Sequence, residues 1–126
     1  MPVVKEIIHQ YEINPLACGQ AVISMLTGEN VEKVISLAGT DRELTLKDVK
    51  FLLDEFRVSY DVERKQAEKI TDLPDIAILS LETPKCWHWS LYFKGKVYDP
   101  EHGVLSDFPV SNRKYYWKIT GGEDNS

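Results

Sequence analysis

Residues 86–103, CWHWSLYFKGKVYDPEHG, decide how the second half of this chain folds. Two runs of alternating aromatic, aliphatic and polar residues flank Lys94-Gly95, and a two-residue connection of that kind closes a β-hairpin. Phe93 then faces Lys96, and cross-strand partners carry numbers that add up to 189, as 93 and 96 do. Side chains alternate across a sheet, so His88, Ser90 and Tyr92 share one face with Val97, Asp99 and Glu101, while Trp89, Leu91, Phe93 and Tyr98 share the other, which is core. Asp99 lies diagonally from His88 at about 7 Å between backbones, within reach of its ring. A three-residue loop instead would turn Asp99 to the opposite face.

Working outward, Val58, Tyr60 and Val62 alternate with polar neighbours, Ile76 to Leu81 is a short apolar run suited to a buried strand, and residues 113–120 read as a last strand. Residues 65–73 carry no decisive pattern. The front half has helical period instead. Asn14-Pro15 is read as a helix start, because Asn caps free N–H groups and proline suits the first turn. The helix then runs from Pro15 to Thr27 and stops at Gly28. Asn30 caps a second helix that ends at Gly39, and Thr45 with Asp48 forms a capping box for a third through Phe56. Helices first and an antiparallel sheet afterwards predict an α+β domain, with N-terminal helices packed on a C-terminal sheet. One domain covers residues 1–120 and a polar tail covers 121–126.

The chain has 126 residues, 43% of them hydrophobic, enough for a core without metal or disulfide staples. Its opening MPVVKEIIHQ lacks the basic start and apolar stretch of a secretory signal, and no apolar run approaches membrane-spanning length. A soluble, cytoplasmic protein is expected. A net charge of −5 argues against nucleic-acid and membrane-surface partners. Arg113, Lys114 and Lys118 alternate with Tyr115, Tyr116 and Trp117 as a strand with solvated charges would. The two cysteines, Cys18 and Cys86, do not form a disulfide framework.

Cys18 falls near the start of the first helix, where unpaired N–H groups and the helix dipole favour a thiolate, the reactive form of cysteine. Gly19 weakens that helix by about 1 kcal/mol relative to alanine, and absence of a side chain there lets a substrate backbone come close. Taken alone, Cys18 reads first as a small core residue, as most lone cysteines are. The coincidence with His88 and a facing Asp99 turns the reading toward a nucleophile, its base, and a carboxylate that orients the base. His9 lies before the helix and His102 in the turn after Asp99-Pro100, and of the three histidines only His88 has both a strand and a facing acid. Cys86 lies two residues before His88 and reads as an idle thiol, the alternative being a reversible disulfide with Cys18.

On three motifs the chain resembles the papain-like cysteine peptidases, and among them the bacteriocin leader-peptidase-like (double-glycine peptidase-like) group: Cys-Gly opening a helix of small and apolar residues (Cys18 to Leu26), His leading an aliphatic-aromatic strand (His88 to Phe93), and Asp-Pro ending the next strand (Asp99, Pro100). The motifs cover about a third of the chain and follow the family's order. The resemblance implies a papain-like fold and a Cys18–His88–Asp99 triad acting on a protein or peptide substrate through a thioester, with no cofactor and no metal. It also implies an oxyanion hole made by the Cys18 N–H and a glutamine upstream. The usual place for that glutamine, six residues before the cysteine, holds Glu12, an acid that cannot donate when ionised. Gln10 is the expected substitute, unless it is a solvated surface residue, and Gln20, beyond the cysteine, is the less suitable one. A peptidase or isopeptidase is thus expected, with glutamine deamidation, acyl transfer, or a non-catalytic binding module on the same scaffold as alternatives.

Overall fold

The computed structural model describes residues 3–122, which form three helices followed by an antiparallel sheet. The α+β expectation is met at this level. Helix α1 spans Cys18–Thr27, α2 Val31–Ala38 and α3 Leu46–Glu55; the strands are β1 Val58–Tyr60, β2 Lys65–Gln66, β3 Ile76–Glu82, β4 Trp87–Phe93, β5 Lys96–Asp99, β6 Gly103–Leu105 and β7 Lys114–Gly122. The spatial order is β1-β7-β3-β4-β5-β6, with β2 also paired to β7. A short 3-10 turn at Ile70–Asp72 accounts for part of the stretch without a pattern.

Local chemistry sets the second and third helices as expected. The Asn30 side chain accepts from the Glu32 N–H. Thr45 and Asp48 make the reciprocal capping box. The first helix begins later than expected, because Asn14-Pro15 makes a turn rather than a cap. The Asn14 side chain accepts from Leu16 N–H at 2.8 Å, and Ala17 N–H closes on the Asn14 carbonyl at 3.0 Å. Asn at the first and Pro at the second position of a β-turn is as favourable as the same pair at a helix start. The consequence is that Cys18 is the first residue of α1.

The hairpin register is the expected one. Leu91 faces Tyr98, Tyr92 faces Val97, and Phe93 faces Lys96. Lys94 and Gly95 both take positive φ, 46° and 98°, as a primed two-residue turn demands. The last strand extends to Gly122, so the tail assigned to 121–126 starts later, and residues 123–126 lie outside the described ones.

Both faces of the sheet are covered, which corrects the expectation of a single core face. On the helix side Leu91, Ile78 and Ile119 pack with Val22, Leu26, Leu52 and Leu53, with Trp89 and Tyr98 against them. On the other side Ala77, Leu79, Leu81, Tyr92 and Val97 form a second cluster, closed over by Ile70, Leu73, Leu105 and Phe108. Among the described residues no helix is long and apolar enough to cross a membrane.

Candidate active site

The site forms where the start of α1 meets the start of β4. Trp89 N–H donates to the Cys18 sulfur at 3.4 Å, joining groups 71 positions apart. His88, one residue earlier on β4, lines the same cleft as Cys18, and its ring is hydrogen-bonded to Asp99. His88 Nε2 lies 3.0 and 3.1 Å from the two Asp99 carboxylate oxygens. A carboxylate only accepts, so Nε2 carries the proton, which leaves Nδ1 as the ring nitrogen open to the thiol. Cys18, His88 and Asp99 are all buried, at 7%, 4% and 0% exposure, so their interactions are little weakened by water.

Asp99 is the hub. Besides His88 it accepts from Ser90 Oγ at 2.9 Å, from the N–H groups of Glu101 at 2.9 Å and His102 at 3.0 Å, and its Oδ1 lies 3.1 Å from His102 Nδ1. Burial alone would raise its pKa, but the hydrogen bond and charge of His88 and the two backbone donors hold it down at about 2. Burial likewise works against the charged form of His88. The hydrogen bonds and negative charge of Asp99 and of Cys18 outweigh it and lift the imidazole to about 10. At neutral pH the pair is therefore carboxylate and imidazolium.

The thiol opens onto a cleft of about 140 Å³ walled by Leu16, Leu44, Trp87 and Trp89. Trp89 is held there by its indole N–H, which donates to the Leu44 carbonyl at 3.0 Å. Trp87 is 47% exposed at the rim and stacks on Tyr115 at 5.9 Å between rings. A roomier cavity of about 520 Å³, lined by Lys85, His102, Leu105 and Phe108, reaches neither Cys18 nor His88. Cys86 also borders the thiol's cleft, exposed and unbridged.

The upstream expectation changes. Gln10 points away from the thiol, donating from Nε2 to Ser24 Oγ at 2.8 Å. Ser24 stands six positions down α1, about 9 Å along the helix axis from Cys18. Gly19 also has a packing reason, since a Cβ there would stand 2.8 Å from Leu44 Cδ1. Gln20 is buried and ties the following loop, donating to the Thr40 and Arg42 carbonyls at 2.9 and 2.7 Å.

Ser90 and His102 enter the site without having been singled out. Ser90 was legible from strand alternation, which put it on the His88 face. His102 was legible from Asp99 itself, because an Asp in a turn commonly accepts backbone N–H groups two and three residues on and so draws that residue's side chain close. The His88, Asp99 and His102 donor atoms lie within 4.8 Å of one another. On Asp99 they are already joined by hydrogen bonds into one network.

Such an arrangement can pass a proton between sulfur and imidazole while the carboxylate keeps the ring in one orientation. No family model, curated protein or solved structure matches the chain.

Proposed function

We propose that this chain is a cysteine-dependent hydrolase of papain-like design, a peptidase or isopeptidase that cleaves an amide bond in a protein or peptide substrate. The observation that carries the reading is the meeting of the helix-terminal Cys18, whose sulfur accepts from Trp89 N–H at 3.4 Å, with the neighbouring residue His88, whose ring is hydrogen-bonded to the buried Asp99. In this reading the Cys18 thiolate attacks the carbonyl carbon and the π electrons move to oxygen. As the intermediate collapses to a thioester, His88 hands its proton to the departing amine. Water then attacks the thioester, His88 takes the water's proton, and the acid leaves as the thiolate re-forms. General acid–base help of this kind contributes roughly 10²–10⁴ in rate. Two unbridged thiols fit a reducing compartment, and we place the protein in the cytoplasm.

Iodoacetamide labelling at pH 6, with Cys86 as an internal control, tests the reading. Cys18 is expected to label at least about tenfold faster than Cys86, and His88→Ala to erase that preference, since a thiolate reacts only where something stabilises it. Equal labelling of the two cysteines in the wild type would remove the nucleophile and leave a binding module. Mass spectrometry of candidate peptides then separates the chemistries: cleavage splits the chain, whereas deamidation of a glutamine adds about one dalton and transfer to an amine adds the mass of the acceptor.

A further inference from the structure

Where the thiol's cleft opens at one end of the sheet, the strand register fixes what stands beside it on the side facing the helices. Ser80 on β3 pairs with Trp89 on β4 and with Tyr115 on β7, and directly paired residues share a face. Ser80 lines the cleft together with Trp87 and Trp89. From the cleft's rim the aromatic surface continues outward: Trp87 stacks on Tyr115 with ring planes 22° apart, and the Arg64 guanidinium lies 4.0 Å from the centre of the Tyr115 ring. Arg113 stands 5.2 Å from the centre of the Trp87 ring. The two arginines differ in what they already hold. Arg113 spends its fork on Glu82, at 3.0 and 2.9 Å. Arg64 is exposed and has no acidic partner among the described residues. A cation–π contact supplies no hydrogen-bond acceptor, so the Arg64 fork still lacks one.

On the cysteine-hydrolase reading above, we infer that this aromatic platform carries the substrate chain away from the cleft, and that Arg64 selects a peptide with an Asp or Glu side chain about four residues from the cleaved bond. Continuity gives the place. Trp87 belongs to both cleft and platform, and the Arg64 guanidinium is at most about 10 Å from its ring, the reach of three extended residues beyond the one seated in the cleft. Charge gives the occupant. A carboxylate accepts two parallel hydrogen bonds from an arginine fork, which an amide cannot match and an ammonium group would oppose. Glu43 lines the cleft itself and repels an acid placed at the bond, so the two ends of the path favour different residues. The rings of Trp87 and Tyr115 between them are rigid and broad, and offer contact area to the intervening residues without demanding a particular side chain.

The test uses alanine peptides that carry an iodoacetyl group and, four positions away, Glu, Gln or Lys. The reactive group is at the amino end in one set and at the carboxyl end in the other, so both chain directions are sampled. Mass spectrometry of the full chain reads the rate at Cys18, with Cys86 mapped separately. In one direction the Glu peptide is expected to label Cys18 at least about threefold faster than the Gln peptide at low salt, and the preference should shrink as salt rises. Arg64→Ala is expected to remove the preference and Arg64→Glu to transfer it to the Lys peptide, while plain iodoacetamide stays within about twofold throughout. Equal Glu and Gln rates in both directions, in a wild type that iodoacetamide labels selectively at Cys18, would overturn the inference. So would a Glu preference that survives Arg64→Ala, or a loss of plain iodoacetamide labelling in that variant, which marks a merely structural residue. Failure of selective iodoacetamide labelling in the wild type sinks the hydrolase reading itself.

Discussion

Strand β4 has two buried sides that are held by different forces. On one, Leu91 packs with Val22, Leu26 and Ile78, a contact set spread over three helices and four strands. On the other, His88 and Ser90 converge on a single carboxylate, with two backbone N–H groups and His102 arriving from the turn. Apolar burial is non-directional and shared among many residues, so any one can shrink without redirecting the rest. A buried polar cluster is directional, and its members lose their partner together when the acceptor goes.

The sharpest way to break this contrast is to remove Asp99. Asp99→Ala leaves His88, Ser90 and two N–H groups buried without an acceptor and is expected to cost about 3–5 kcal/mol in urea denaturation, while also removing the Cys18 labelling preference at pH 6. Leu26→Ala, on the other side, should cost about 2–5 kcal/mol and leave labelling within about twofold. If Leu26→Ala slowed labelling as Asp99→Ala does, the two sides would not be separable.

The pH dependence of stability sharpens the same contrast. His88 is lifted from 6.5 to about 10, so its contribution is complete below about pH 6.5 and is lost as pH rises through about 10. Asp99 is lowered from 3.8 to about 2, so its contribution is complete above about pH 4 and is lost as pH falls through about 2. The urea midpoint should therefore decline on both flanks in the wild type, and both slopes should shrink in Asp99→Asn. Leu26→Ala should keep them.

The smallest effect belongs to Gly19. A methyl there meets Leu44 Cδ1 at 2.8 Å, an overpacking worth about 1–3 kcal/mol, offset by about 1 kcal/mol of helix propensity. Gly19→Ala is expected to destabilise by about 1 kcal/mol alone and to stabilise in a Leu44→Ala background. A thermal-denaturation double-mutant cycle measures that coupling.

What could be read in advance follows the range of the physics. The caps at Asn30 and Thr45 and the Lys94-Gly95 turn are interactions within three or four residues, and each appears where the pattern put it. The turn in particular set the face of Asp99. Strands of two and three residues, β2 and β6, offer no alternation to detect. Asn14-Pro15 was ambiguous because two local structures satisfy the same dipeptide. The packing reason for Gly19 was hidden because Leu44 lies beyond the helix. The place of Gln10 had no local signal at all: its side chain is tied to Ser24, and the segment around it is held by the Asp99 and Pro100 carbonyls, about ninety positions away.

From the amino-acid order by itself came the α+β division, the caps of the second and third helices, the hairpin register and the pairing of His88 with Asp99, all consequences of periodicity and turn chemistry acting between near neighbours. Tertiary packing alone decided that Cys18 meets the start of β4, that Asp99 gathers Ser90 and His102, and that Gln10 is tied to Ser24. Those outcomes depend on how α1 and the segment before it settle on the sheet, and the free energy that places them is spread over a core no short stretch contains.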